Sequence, residues 1–413
     1  MAAQQSQHMI LREEAPGTEK SMMPFDGRYE VAAITSVTDT THLNKLMQSD
    51  SHGDVPEHGN SWTNARAAAY DFRSDYVTIP TLAMLQSIAS TTLNDDVGQE
   101  DPTTNEFQSF MAALTGHEDA LFVLSGTMGN QVALRAALTT PPYSVVLDER
   151  SHIARMEVGG PATLCGAQLR EVHAANGHHL TLEDLAARAT VRSSIYDCPT
   201  RVICLENTLG GVVFPLAEAT RISRWAHAQD PPIHMHLDGA RLWEAVAAGA
   251  GSLRDYCRLF DSVQLCLTKG LGAPVGSVVV GSAAFVRRAR WMRKLVGGGI
   301  RAAGVLTGPA RVAVEDVFLA GRLQRAQQVA VRIAQRWVAL GGRLAWPTET
   351  NMVWLDMDRT PGFDKGEFFR RVDEAGLRLM QNMLEGRIVV HYQICDDAVD
   401  RLFQVMGLSF RSK

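Results

Sequence analysis

The chain has 413 residues, of which 46% are hydrophobic and 21% are charged, and its formal net charge is −5. A chain of this length can form two or three domains with a large core. The acidic balance argues against a protein that binds nucleic acid or an anionic membrane surface, because both partners require a basic surface. No apolar run is long enough to span a membrane.

The N-terminal segment "MAAQQSQHMILREEAPG" lacks a hydrophobic core, so the sequence predicts no secretory signal. Six cysteines form no C-x-x-C pair, and several lie in strand-like runs, which favours buried, reduced thiols. These features predict a cytoplasmic protein. Residues 1–68 are polar without a sustained period, so we expect an N-terminal extension that is largely disordered.

From about residue 69, short apolar runs alternate with helix-like segments such as "NQVALRAAL" and "TLEDLAARA". The runs are "ALFVLS", "SVVLDE", "RVICLEN", "HMHLDG", "SVQLCLT" and "GSVVVGS". This alternation indicates an α/β fold with a buried, mainly parallel sheet that is covered on both faces.

A long amphipathic helix is predicted over residues 323–340, with Gly341 and Gly342 as its stop. Strands are expected near "NMVWLDM" and "RIVVHYQI". We therefore predict a large domain over 69–310 and a small α+β domain over 311–413. In the last strand alternate residues from Ile388 to Ile394 form a buried face, and Arg387 lies on the other face.

Two charged residues end apolar strands. Lys269 follows "SVQLCL", and Asp238 ends "HMHLD". Ligands of open α/β sheets bind beyond the carboxyl ends of the strands, so both side chains are expected in one crevice. A lone lysine there would more often extend into solvent, but a buried carboxylate needs a cationic partner. The pair therefore favours a binding site.

Two further segments complete the pattern. "LSGTMGN" passes from a strand into a helix, so its Ser, Gly and Thr residues could present N–H groups and hydroxyls to a phosphate. His152 follows "SVVLDE" and could lie over a flat ring. An amine, an anion, phosphate donors and this histidine fit pyridoxal 5'-phosphate. An acid about 4 Å from its pyridine nitrogen contributes about 4 kcal/mol at an effective dielectric constant near 20, which keeps the nitrogen protonated.

The sequence resembles the threonine aldolase family of fold-type-I pyridoxal-phosphate enzymes, in particular its fungal members. The resemblance runs from about residue 70 to the C-terminus, and it implies a transferase-like fold with a mostly parallel seven-stranded sheet in the large domain. The motifs that carry it are "DFRSDYVTIPT", "DDVGQEDPTTN", "SGTMGN", "SHIARMEVGG", "CLENT", "HLDGARLW", "TKGLGAPVGS", "VGGGIR" and "RIVVHYQI".

The resemblance also implies roles by position. Lys269 would bind the cofactor covalently, Asp238 would face the pyridine nitrogen, and His152 would stack on the ring. The other implied positions are Arg241 for the ring oxygen, Gly126 and Thr127 for the phosphate, Ser74 and Arg387 for the substrate carboxylate, and Arg301 for the cofactor of a neighbouring subunit. Arg301 thus implies a homodimer or homotetramer with shared sites. No metal ligand is implied.

Three positions depart from the family pattern. "ENTLGG" has no histidine near Gly210, Tyr76 stands where a small hydroxyl is usual, and Gly98 replaces an aromatic residue. Retro-aldol cleavage needs a base for the β-hydroxyl proton, so His152 or a water would have to serve. Tyr76 opposite Lys269 would instead suit racemisation with two bases.

Three hypotheses follow. The favoured one is a low-specificity L-threonine aldolase that cleaves L-threonine or L-allo-threonine to glycine and acetaldehyde. The alternative is an alanine racemase of the same family, which would supply D-alanine for fungal nonribosomal peptide biosynthesis. The third is a metal site of His234, His236 and Asp238, which share one strand face, but it carries little weight because the resemblance assigns Asp238 to the cofactor.

Overall fold

The structure is a computed structural model, and it describes residues 66–192, 194–381 and 384–410. The predicted N-terminal extension lies outside the described residues, except for its last three positions. That expectation therefore stays a prediction.

Seven strands form the central sheet: β1 (Asp119–Val123), β2 (Ser144–Asp148), β3 (Gln168–Val172), β4 (Thr200–Glu206), β5 (His234–Asp238), β6 (Ser262–Cys266) and β7 (Ser277–Gly281). Their spatial order is β1-β7-β6-β5-β4-β2-β3. The pairs from β6 to β3 are parallel, whereas β7 runs antiparallel to β1 and β6. The predicted mostly parallel, seven-stranded α/β sheet is confirmed.

Helices precede, connect and follow these strands. Those before β1 are α1 (Arg66–Ala69), α2 (Leu82–Ile88) and α3 (Pro102–Thr115). Within the sheet region they are α4 (Gly126–Ala137), α5 (His152–Arg155), α6 (Gly160–Cys165), α7 (Leu182–Arg188), α8 (Leu216–His227), α9 (Leu242–Ala247) and α10 (Leu253–Cys257). After it come α11 (Ala283–Leu295), α12 (Gly304–Ala313), α13 (Arg322–Ala339), α14 (Lys365–Glu374) and α15 (Asp396–Leu408). A 3₁₀ helix covers Asp75–Val77 and a π-helix Val314–Leu319.

A second sheet pairs β8 (Met352–Trp354) antiparallel with β9 (Arg387–Val389). The predicted strand "RIVVHYQI" was too long, since β9 ends at Val389. The alternation was also wrong, because Arg387, Val389 and His391 are buried like Ile388. The segment after α1 packs against β9 and the residues that follow it: the Val389 N–H donates to the Phe72 carbonyl at 2.9 Å, and a ring nitrogen of His391 lies 3.1 Å from the Asp71 carbonyl oxygen.

The two sheets have separate hydrophobic clusters. The cluster around the large sheet continues through Ala310 and Val314 to Leu323. The cluster around β8 and β9 takes up α13 from Ala326 onward. The domain boundary near residue 310 stays a prediction.

All six cysteines are unpaired, which agrees with the expected reduced thiols. In the part of the chain that the structure describes, every helix is too short or too polar to cross a bilayer.

Candidate functional site

A cleft of about 150 Å³ opens beyond the carboxyl ends of β5 and β6, beside the N-terminus of α4. Its lining includes Lys269, Asp238, His152, Gly126 and Thr127. All five were singled out from the sequence. They come from four separate segments, which only the folded sheet brings together.

Lys269 follows β6 in a loop that is tied to the 3₁₀ segment. The Thr78 hydroxyl donates to the Lys269 carbonyl oxygen at 2.7 Å. The Lys269 side chain is half-buried, and among the described residues its ammonium has neither a hydrogen bond nor an ion pair. This amine is therefore available to a ligand in the cleft.

Asp238 is buried at the end of β5, where donors hold its carboxylate. Asn130 Nδ2 donates to Oδ2 at 2.8 Å, and the Ala240 N–H donates to Oδ1 at 3.0 Å. The Gln264 amide nitrogen, in the orientation that satisfies both of its ends, donates to Oδ1 at 2.9 Å. These bonds fix the carboxylate in the cleft wall.

The two strand histidines point to a serine and do not converge on Asp238. His234 Nε2 and His236 Nδ1 each lie 2.8 Å from the Ser262 hydroxyl, and His236 Nε2 lies 3.1 Å from Asn130 Oδ1. Burial lowers the pKa of His236 to about 3 and that of His234 to about 4, so both rings are neutral. The hypothesis of a metal at His234, His236 and Asp238 is not supported, because both rings bond to Ser262 and His236 also contacts Asn130.

The start of α4 offers free donors to the cleft. The Ser125 side chain accepts from the Met128 N–H at 3.1 Å, whereas the N–H groups of Gly126 and Thr127 have no acceptor within the helix. A Cβ at Gly129 would lie 2.7 Å from Gln264 Cγ, so this glycine lets α4 pack closely on β6. An anion at this end would also meet the positive end of the helix dipole.

His152 begins α5 between two glutamates that the sequence analysis did not single out. Its Nδ1 lies 2.8 Å from Glu157 Oε1, and its main-chain N–H donates to Glu206 Oε2 at 2.8 Å. The Glu157 hydrogen bond raises the pKa of His152 above its usual value. Burial, together with neighbouring Asp238, raises the pKa of Glu206 to about 8. The motifs "RMEVGG" and "CLENT" contain both glutamates, but a motif does not reveal burial.

A buried ion pair joins the 3₁₀ segment to the start of α9. Arg241 Nε and Nη2 donate to Asp75 Oδ2 and Oδ1 at 2.8 and 2.6 Å. Burial alone would raise the pKa of Asp75, but the Arg241 guanidinium offsets it and lowers the pKa to about 2. Arg241 is thus engaged within the protein, and its implied bond to a ring oxygen stays a prediction.

Arg387 is a buried cation at the start of β9. Its Nη2 donates to the Arg73 carbonyl at 3.1 Å, and its Nε has no partner among the described residues. The guanidinium carbon lies 6.0 Å from the centroid of the Trp354 ring. Burial, with Arg241 nearby, lowers the pKa of Arg387 to about 10.

The other implied site residues lie in different surroundings. Ser74 is buried, and its hydroxyl donates to Asp75 Oδ1 at 3.3 Å. Tyr76 is 55% exposed. The Arg301 side chain is 74% exposed and pairs with Asp95. Its implied contact with the cofactor of a neighbouring subunit stays a prediction.

The position that lacks a histidine, Gly210, is packed against a tryptophan. Its φ is +62°, and a Cβ there would lie 2.4 Å from Trp346 Cζ3. Trp354 Nε1 donates to the Gly210 carbonyl at 2.8 Å, and the two indole rings are 4.9 Å apart. The missing side chain is therefore matched by an aromatic pair that fills its space.

The model of the family described as beta-eliminating lyase matches residues 71–360. The chain belongs to this family. A relative named aldolase vrtJ from Penicillium aethiopicum is 52% identical over 90% of this chain and 95% of its own length. Alanine racemase TOXG from Cochliobolus carbonum is 41% identical over 84% and 88%, and a low-specificity L-threonine aldolase from Candida albicans is 40% identical over 80% and 87%. The recognised resemblance to fungal threonine aldolases is confirmed.

A solved structure of threonine aldolase from Leishmania major has the same fold. It matches with a TM-score of 0.70 at 20% identity, over 82% of this chain and 99% of that structure.

Proposed function

We propose that this family member is a pyridoxal-5'-phosphate-dependent lyase that cleaves L-threonine or L-allo-threonine to glycine and acetaldehyde. The observation that carries the proposal is that one cleft contains three groups. These are Lys269, whose amine has no ion-pair partner among the described residues, buried Asp238, and the N-terminus of α4 with its unpaired N–H groups. Membership in a family with relatives named threonine aldolase supports the choice of reaction.

The donor set of the cleft fits the cofactor. Lys269 would hold its aldehyde carbon, Asp238 its pyridine nitrogen, and the N–H groups of Gly126 and Thr127 its phosphate. His152 would lie against the ring. When bound, the cofactor supplies an electron sink for negative charge that develops at the α-carbon of an amino acid.

The substrate carboxylate would bind to Arg387, with Ser74 beside it. A buried guanidinium with a free Nε is costly unless an anion reaches it. The planar fork of arginine also matches the two oxygens of a carboxylate. The Arg73 carbonyl and the face of Trp354 would keep the guanidinium in place.

The β-hydroxyl proton needs an acceptor while the Cα–Cβ bond breaks. Glu206 Oε2 accepts from the main-chain N–H of His152, which lines the cleft, and burial raises the pKa of this glutamate to about 8. We therefore assign proton transfer from the β-hydroxyl to Glu206.

The proposal is tested by incubating the purified protein, loaded with the cofactor, with L-threonine in D₂O. Acetaldehyde and glycine in equal amounts support it, and Lys269→Ala should abolish both products. Absence of acetaldehyde from the loaded wild-type protein would refute it.

The second candidate function is alanine racemase. It is favoured by the apolar filling of the space at Gly210, and Tyr76, which follows buried Asp75, would supply the second acid/base group. Lys269 and Tyr76 would then exchange the α-proton on opposite faces of alanine. Its product would be D-alanine, as supplied to fungal nonribosomal peptides. Incubation with L-alanine in D₂O distinguishes the candidates, since racemisation yields D-alanine with deuterium at Cα.

We further propose that the active protein is a cytoplasmic homodimer or homotetramer in which Arg301 reaches a neighbouring site. Size-exclusion chromatography with light scattering measures the assembly, and a monomer with full activity would refute it.

A further inference from the structure

A buried carboxylate behind the cleft, Glu157, has no role in the function proposed above. It lies between α5 and α6, and its side chain is 0% exposed. Asn130 Nδ2 donates to Oε1 at 2.9 Å, His152 Nδ1 lies 2.8 Å from the same oxygen, and the Gln131 amide donates to Oε2.

The chemistry of these contacts is that of an ionised carboxylate. Both amide groups donate, and an ionised carboxylate can only accept. A buried negative charge requires a positive partner. Among the described residues the ion-pair partner of Glu157 is His152, and no lysine or arginine pairs with it. The charge of Glu157 is therefore balanced when His152 is protonated.

The groups around His152 raise or lower its pKa. Glu157 raises its pKa most, burial lowers it, Asp238 raises it, and Lys269 lowers it, with a net rise above 6.5. Glu206 accepts from its main-chain N–H. Because the folded pKa exceeds the unfolded one, the stabilisation from protonated His152 is complete below pH 6.5 and is lost as the pH rises through the folded pKa.

The same network reaches Asp238. Asn130 Nδ2 donates to Asp238 Oδ2 at 2.8 Å as well as to Glu157. The Asn130 amide is oriented by neutral His236, whose Nε2 lies 3.1 Å from Oδ1. The Asn130 amide thus links the two buried carboxylates, and His236 fixes the orientation of this amide.

We propose that Glu157 is a positioning residue that holds His152 as an imidazolium in the cleft and, through Asn130, fixes the orientation of Asp238. Its catalytic consequence rests on the proposed function, because only a loaded cleft uses both groups. A protonated His152 presents a cation and cannot serve as the base, which agrees with the assignment of proton acceptance to Glu206.

Histidine-specific hydrogen–deuterium exchange, followed by mass spectrometry over a range of pH, gives the half-titration pH of His152 in the loaded protein. We expect a value above 6.5 in the wild type and a proton affinity about tenfold lower in Glu157→Gln. Glu157→Asp, which keeps the charge, should give an intermediate value. Glu149→Gln is the matched control: His173 Nδ1 lies 2.8 Å from Glu149 Oε1, but that histidine is 74% exposed. This control should leave His152 unchanged.

A kinetic readout separates positioning from stability. Glu157→Gln should lower kcat about tenfold at neutral pH, with KM within about threefold, because charge placement around the reacting carbon changes more than binding does. Glu157→Asp should restore most of kcat.

Half-titration of His152 at or below pH 6.5 in the wild type would overturn the proposal, as would an unchanged value in Glu157→Gln. If Glu157→Gln does not fold, the half-titration pH of His152 in the wild type and in Glu157→Asp still tests the proposal. If the loaded protein cleaves no amino acid, the proposed function fails, whereas the His152 titration still tests the network.

Discussion

Arg387 shows how a single residue can indicate a ligand. Its guanidinium is buried, its Nε has no partner among the described residues, and its one hydrogen bond is to the Arg73 carbonyl. A cation in this state gains most from an anion that binds in its plane.

Arg387→Ala is therefore expected to raise KM for the amino-acid substrate with a smaller effect on kcat. Hydrogen bonds to charged groups contribute about 1.5–3 kcal/mol, which corresponds to roughly 10- to 100-fold in KM. Arg387→Lys keeps the charge but loses the planar fork, so its KM should lie between those of the wild type and Arg387→Ala. Steady-state kinetics measure this, and an unchanged KM in the alanine variant would place the carboxylate elsewhere.

Glu206 should govern the pH dependence of cleavage. Its pKa is raised to about 8, first by burial and then by Asp238, so the group is protonated at pH 7 and becomes a base as the pH rises. We expect kcat/KM to increase through about pH 8 in the wild type and this increase to vanish in Glu206→Gln. The same rise in both proteins would assign the base to another group.

At the scale of elements, the loop after β4 is shaped by its contact with the segment before β8. Gly210 has φ +62°, and Trp346 occupies the place of any side chain there. Thr350 adds a hydrogen bond from its hydroxyl to the Gly211 carbonyl at 2.8 Å. The conformation of this loop and the position of Trp346 thus depend on each other.

Gly210→Ala should lower the free energy of unfolding by about 2–4 kcal/mol, since overpacking adds to the cost of a left-handed backbone. Gly177→Ala is the control, because φ is +74° there and nothing lies within 4 Å of the added Cβ. It should cost about 1–2 kcal/mol. Urea unfolding measures both, and equal losses would show that Trp346 does not restrict the loop.

The same scale shows where sequence patterns stop being informative. Six strands of the large sheet were predicted from apolar runs, but β3 was not, because "QLREV" is an edge strand that is only partly buried. The extent of β9 was overestimated because the alternating pattern continues to Ile394, whereas the strand ends at Val389 and both of its faces are buried. Apolar runs identify central strands, whereas edges and ends depend on tertiary contacts.

Sequence patterns also revealed only some of the residues of the candidate site. Lys269 and Asp238 could be predicted because charged residues at the ends of apolar strands are exceptional. Glu157, Glu206 and Asn130 could not, since their function depends on burial and on partners distant in sequence.

For the whole molecule, buried neutral carboxyl groups make stability depend on pH. Glu244 on α9 is buried, and Gln327 of α13 donates to its Oε2 at 2.7 Å. Burial raises the pKa of Glu244 to about 8, with Asp75 adding to the rise and Arg241 opposing it. The folded state keeps a proton that the unfolded state loses near pH 4.5, so this stabilisation declines as the pH rises to 8.

Glu244→Gln removes this titration. Relative to the variant, the wild type should lose roughly 2–4 kcal/mol of unfolding free energy between pH 5 and pH 9. Urea unfolding of both proteins at the two pH values measures the difference. A gap that stays constant with pH would mean that Glu244 is already ionised in the folded protein.

The central claim is that Lys269 binds pyridoxal 5'-phosphate in the cleft that it shares with Asp238. The most direct measurement is reduction of the loaded protein with borohydride, followed by proteolysis and mass spectrometry to locate the attached pyridoxyl group. We predict the group on the peptide that contains Lys269 and its loss in Lys269→Arg. Attachment to another lysine, with Lys269 unmodified, would contradict the account.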